Sequence, residues 1–120
     1  MIKLNVNSGA LEFYGLLINH RSTFQEVLMH NPNMNFELWV DNGEYQTYRL
    51  CCSDDYILMI RVFNNITYSI EIYSRKKGVF FDSLSKVFAK IGGEGVYSWG
   101  SVTMNVDYKA GYRSVLINYD

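Results

Sequence analysis

Apolar and polar positions alternate along most of this chain. Ile2, Leu4 and Val6 alternate with Lys3 and Asn5, the pattern of a strand with one buried face. Asn7-Ser8-Gly9 is turn chemistry, and Leu11 to Ile18 reads as a second strand with Gly15 as a bulge or close-packing point. Phe36 to Val40 and Tyr45 to Cys52 are strand-like on either side of Asp41-Asn42-Gly43, which contains the Asn-Gly pair of tight hairpins. Ser53-Asp54-Asp55 breaks the pattern. Tyr56 to Phe63 is the most apolar run and reads as a central strand. Asn64-Asn65 suits a two-residue reversal. Beyond it, Ile66, Tyr68, Ile70 and Ile72 alternate with Thr67, Ser69, Glu71 and Tyr73. Val96 to Tyr108 reads as one long strand bent through Gly100. Lys109-Ala110-Gly111 is a turn, and Tyr112 to Tyr119 closes the chain with Val115 and Ile117 on one face.

Two stretches carry the helical period instead. Ser22 or Thr23 caps the first, and both Ser22/Gln25 and Thr23/Glu26 have capping-box spacing. Phe24, Val27 and Leu28 then share a helical face, and Pro32 ends the run because it disfavours helical geometry at the residue before it. Asp82 or Ser83 caps the second. Leu84, Val87, Phe88 and Ile91 follow the i, i+3, i+4, i+7 rule, with Gly92 at the C-cap position. Each helix has one apolar stripe, so each lies on a sheet. Tight turns between successive strands dictate antiparallel neighbours. The expectation is a single α+β domain over residues 1–120, mainly an antiparallel sheet of about eight strands with two helices. One twisted sheet curling around both helices is preferred over two packed subdomains or a swapped dimer. The order ββαββ-ββαββ suggests a pseudo-twofold duplication with halves 1–53 and 54–120.

Composition narrows the function classes. A chain of 120 residues with 48% hydrophobic residues buries a real core, and a net charge of −1 with a pI near 6.1 disfavours a non-specific nucleic-acid binder. The charge is unevenly spread. Phe36 to Tyr56 holds the acids Glu37, Asp41, Glu44, Asp54 and Asp55 against one base, Arg49. Arg75 to Lys90 holds Arg75, Lys76, Lys77, Lys86 and Lys90 against Asp82. No apolar stretch approaches the roughly 20 residues that span a bilayer, and no secretory pattern opens the sequence. Cys51 and Cys52 are adjacent, so on a strand they point to opposite faces and are poorly placed to bond each other. Reduced thiols in a cytoplasm are the simplest reading.

No constellation carries chemistry. His20 and His30 flank the first helix, and a ribonuclease pair would need both imidazoles on one phosphodiester. His30 at a helix C-terminus is already accounted for by the dipole. Gly92-Gly93-Glu94-Gly95 follows a helix, whereas a phosphate loop precedes one. No Gly-x-Ser-x-Gly elbow is present, and neither the cysteines nor Asp54-Asp55 have metal ligands at chelating spacing. The expectation is a non-enzyme without metal or cofactor. A base-stacking platform of Trp39, Tyr45, Tyr48 and Trp99 is disfavoured because its hairpin is acidic, so no direct nucleic-acid contact is expected. The same hairpin suits a protein interface. Glu37, Trp39, Asp41, Glu44, Tyr45, Tyr48, Asp54 and Asp55 form the candidate partner-binding set. Acids would steer a basic partner and aromatics would retain it.

In size, α+β pattern and aromatic-acidic surface, the whole chain resembles small bacterial immunity proteins of toxin–immunity pairs, including those of contact-dependent growth inhibition systems. That resemblance implies a tight complex with one cognate toxin, often a nuclease, whose active site is blocked or whose fold is clamped. The alternative is a non-catalytic structural or small-ligand-binding domain, with a homodimer through sheet edges as one form.

Overall fold

A computed structural model describes residues 2–51, 55–74, 87–107 and 112–120. The predicted cap of the second helix, the basic stretch Arg75 to Lys77, the Ser53-Asp54 break, Cys52 and the Lys109-Ala110-Gly111 turn lie outside them. The elements are β1 (Ile2–Leu4), β2 (Leu11–Phe13), β3 (Leu16–Ile18), α1 (Phe24–His30), β4 (Glu37–Asp41), β5 (Tyr45–Leu50), β6 (Tyr56–Phe63), β7 (Ile66–Ser74), β8 (Gly95–Tyr97), β9 (Gly100–Asp107) and β10 (Tyr112–Tyr119). Residues 87–90 are helical. The α+β class and the antiparallel pairing hold throughout.

The strands form two sheets rather than one. β1-β2-β3 is a small meander, and the large sheet runs β4-β5-β6-β7-β10-β9-β8. Among the described residues there are ten strands where about eight were expected, because two of the expected strands each divide for a local reason. Leu11 to Ile18 is a hairpin, because Tyr14 (φ 47) and Gly15 (φ 87) both take left-handed geometry and reverse the chain. The stretch from Val96 turns at Ser98-Trp99, so β8 folds back on β9 and the long bent strand does not form. Gly100 lies so close to the carbonyl oxygen of Asn118 that no Cβ fits there.

One face of the large sheet is the core face. Leu50, Leu58, Ile60, Val62, Ile70, Ile72, Val102, Val115 and Ile117 bury their side chains there. Leu4, Leu11, Phe13, Leu16 and Ile18 of the small sheet, Phe24 and Val27 of α1, and Val87 and Ile91 cover them. Thr23 caps α1 with the full capping box, its Oγ1 accepting from the Glu26 amide at 3.1 Å. Leu28 departs from the expected apolar stripe and is 43% exposed.

The far end of α1 is tied to the small sheet by one side chain. Asn31 is buried; its Nδ2 donates to the carbonyls of Val27 (2.7 Å) and Leu17 (2.8 Å), and its Oδ1 accepts from the Leu17 amide at 2.7 Å. The carboxamide thus pairs with β3 as a further strand residue would, while closing the helix. Trp99 is also buried, with its indole N–H on the Val6 carbonyl (2.9 Å) and its ring stacked on Tyr97. Gly9 sits directly under that ring with φ 78, and a Cβ there would lie 2.6 Å from it. Trp99 therefore belongs to the core, not to an exposed stacking platform.

Candidate partner-binding hairpin

The β4–β5 hairpin stands out from this frame. All five residues of β4 are exposed, and a Cβ on Gly43 at the tip would meet nothing within 4 Å. Gly43 and Glu44 make the reversal, with the Asn42 amide donating to the Tyr45 carbonyl at 2.8 Å. Asp41 Oδ1 accepts from the Gly43 amide (3.1 Å) and from Gln46 Nε2 (3.3 Å), which stiffens the tip.

A bulge decides which side chains share a face. Glu37 pairs with Arg49 and Leu38 with Tyr48, then the register shifts, so that Val40 pairs with Thr47 and Asp41 with Gln46. Arg49 and Gln46 are three residues apart on β5 and point to opposite faces, so Glu37 and Asp41 do too. Without the bulge these two acids would share one face. The extra residue is Trp39, which is 52% exposed. Arg49 lies with its Cζ 4.4 Å from the Trp39 ring centre, and its Nη2 donates to Glu37 Oε2 at 2.8 Å. At this exposure the ion pair is worth little, about 0–1 kcal/mol. Its consequence is geometric, since ring, guanidinium and carboxylate hold one another on the outer face.

Tyr45 extends the same outer face. It is 49% exposed, with its ring 4.5 Å from Phe63 and 6.2 Å from Tyr68. Phe63 and Tyr68 were not among the expected contacts; the pairing of Tyr45 with Phe63 across β5 and β6 brings them in. Tyr48 points the other way. It stacks on Phe24 of α1 with ring centres 3.9 Å apart, and burial, then the nearby Asp41 charge, hold its hydroxyl pKa above the ordinary value. Asp55 is exposed but precedes β6, beyond the Leu50 end of β5 and away from the tip that carries Asp41 and Glu44. Asp54 lies outside the described residues. The expected set is thus brought together in part. Glu37, Trp39 and Tyr45 share the outer face, Asp41 and Glu44 form the tip, and Tyr48 anchors the hairpin to the helix.

The outer face also holds a polar cluster at its centre. Arg61 Nη2 donates to Glu71 Oε1 at 2.7 Å, and Ser114 Oγ donates to Glu71 Oε2, which Asn105 Nδ2 approaches at 3.5 Å. Glu71 is buried. Burial alone would raise its pKa, but hydrogen bonds from Ser114, Tyr73 and Arg61 and the Arg61 charge outweigh it and hold the carboxyl below its usual value. A charged residue at Arg61, inside the most apolar run of the chain, was the sequence signal for a paired charge at mid-sheet.

Nothing assembles as a catalytic centre among the described residues. His20 Nε2 lies 3.0 Å from the Asp120 carbonyl, and His30 sits in the last turn of α1. Among the described residues no group of three or more His, Cys, Asp or Glu is placed to hold a metal, and no helix is long and apolar enough to cross a membrane. Cys51 is exposed and not disulfide-bonded.

No family model matches the chain, and no curated protein matches it. Among solved structures, a chain of the complex described as Rhs1-CT in complex with cognate immunity protein RhsI1 has the same fold, with a TM-score of 0.71 and 16% sequence identity. The match covers 99% of this chain and 87% of that one. This protein is therefore similar in fold, along nearly its whole length, to a chain of an immunity complex.

Proposed function

We propose that this protein is an immunity protein that binds one cognate toxin and neutralises it by occupation, without catalysis. The observation that carries the reading is the full-length fold likeness to a chain of a complex that contains a cognate immunity protein. The projecting acidic and aromatic hairpin supplies a physical means. Asp41 and Glu44 at the tip steer a basic toxin domain, such as a nuclease, and raise its association rate. Trp39 and Tyr45, exposed and held by neighbouring rings and Arg49, retain it. Because the Trp39 assembly is set in advance, little side-chain freedom is lost on docking.

The test is protection in living cells. The C-terminal domain encoded by the reading frame immediately upstream, tested as the candidate toxin, is expressed in a bacterial host, alone and with this chain. The reading expects growth arrest by the toxin domain alone and restored growth on co-expression. Arrest that persists despite soluble, abundant expression of this chain rejects it.

A further inference from the structure

Resting on that reading, we propose that the toxin docks by adding an extended, basic segment of its own to the free edge of β4, pairing main chain to main chain. β4 is an edge strand of the large sheet, and each of its five residues is exposed. Its outward groups follow from the register. The Asn42 amide bonds to Tyr45, and the Asn64 amide bonds to the Glu44 carbonyl. Odd-numbered residues of β5 therefore bond to β4, and even-numbered ones to β6. The β4 partners of the odd-numbered residues are Val40, opposite Thr47, and Glu37, opposite Arg49. Their main-chain groups face inward. Those of Leu38 and Asp41 face out, with Trp39 as the extra residue of the bulge between them.

Charge selects the occupant. The strand carries an acid at each end, Glu37 and Asp41, and Glu44 follows at the tip. Antiparallel pairing of two copies would bring Glu37 of each to the Asp41 end of the other; the two acids lie on opposite faces, so what opposes self-pairing is like charge gathered along the seam. A basic strand meets no such penalty. It gains alternating contacts with Leu38 and Val40, which are 51% and 41% exposed.

Amide hydrogen exchange followed residue by residue tests this, on the whole chain alone and mixed with the upstream-encoded toxin domain. Outward amides of Leu38 and Asp41 should exchange freely in the lone protein and slow at least tenfold in the complex. Leu38→Pro, which removes one outward N–H and no bond to β5, should weaken binding at least tenfold more than Leu38→Ala, with unfolding midpoints measured for both variants. A complex that forms while these two amides still exchange freely overturns edge pairing and leaves the immunity reading standing. Protection of the same amides in the lone protein, with a dimer in sedimentation, assigns the edge to a second copy and overturns the proposal. Absence of any complex removes both readings.

Discussion

Replacing Asn31 by leucine keeps the branched heavy-atom skeleton of the side chain and removes three hydrogen bonds at once. The Leu17 amide loses the acceptor at 2.7 Å, and the Leu17 and Val27 carbonyls lose donors at 2.8 and 2.7 Å. Asn31 is 4% exposed, so leucine leaves polar main-chain groups facing an apolar side chain. Each bond is worth about 1 kcal/mol net, and an unsatisfied buried group costs about 1–3 kcal/mol. Leu17 is half-buried, so water repairs part of the loss at β3. The expected destabilisation is about 2–4 kcal/mol, a large share of the roughly 5–15 kcal/mol that holds a domain together. In thermal unfolding that corresponds to a fall of about 8–16 °C in Tm for a chain of this size. Urea unfolding followed by tryptophan fluorescence should show a lower midpoint with an unchanged slope, because the surface exposed on unfolding stays the same. A loss below about 1 kcal/mol would refute the claim that this carboxamide joins α1 to the small sheet.

Other consequences are equally open to measurement. Glu71→Gln should destabilise by about 2–4 kcal/mol at neutral pH, since it removes the charge opposite Arg61. The carboxyl has a lowered pKa in the fold, so its contribution is fully present above the usual glutamate value of 4.5 and fades as pH falls through the lower folded value. The difference between wild type and Glu71→Gln should therefore be constant from pH 6 to 8 (about two pH units above the carboxylate range) and shrink only in acid. Gly9→Ala should cost about 3 kcal/mol, combining left-handed backbone with intrusion on the Trp99 ring, and should alter Trp99 fluorescence. Asp41→Lys with Glu44→Lys should slow association with the toxin domain about tenfold at low salt, with the gap closing at high salt.

The fold class was legible because burial in β6 alternates strictly, because Ile70 and Ile72, like Val115 and Ile117, keep the period of two on the core face, and because the capping residues of α1 do what their chemistry requires. Two things were hidden. Tyr14 gave no sign that it would join Gly15 in a reversal, since a non-glycine residue rarely takes positive φ. The bulge at Trp39 has no residue signature, yet it sorts Glu37 and Asp41 onto opposite faces. The candidate site was legible as composition. The row of acids and rings between Glu37 and Tyr48 pointed to the hairpin, but alternation counts could not say that Tyr48 would turn inward onto Phe24. Nor could they place Phe63 and Tyr68, distant in sequence, beside Tyr45. Those neighbours depend on register across three strands, which a single strand does not encode.

The central claim is that a basic toxin domain meets this protein at the β4–β5 hairpin. Titration calorimetry of the upstream-encoded toxin domain against wild type and against Trp39→Ala measures it directly. The account predicts nanomolar or tighter binding by wild type and a loss of at least about 30-fold for the variant, equivalent to about 2 kcal/mol for a hot-spot aromatic. Equal affinity of the two proteins, with the variant folded, would contradict it.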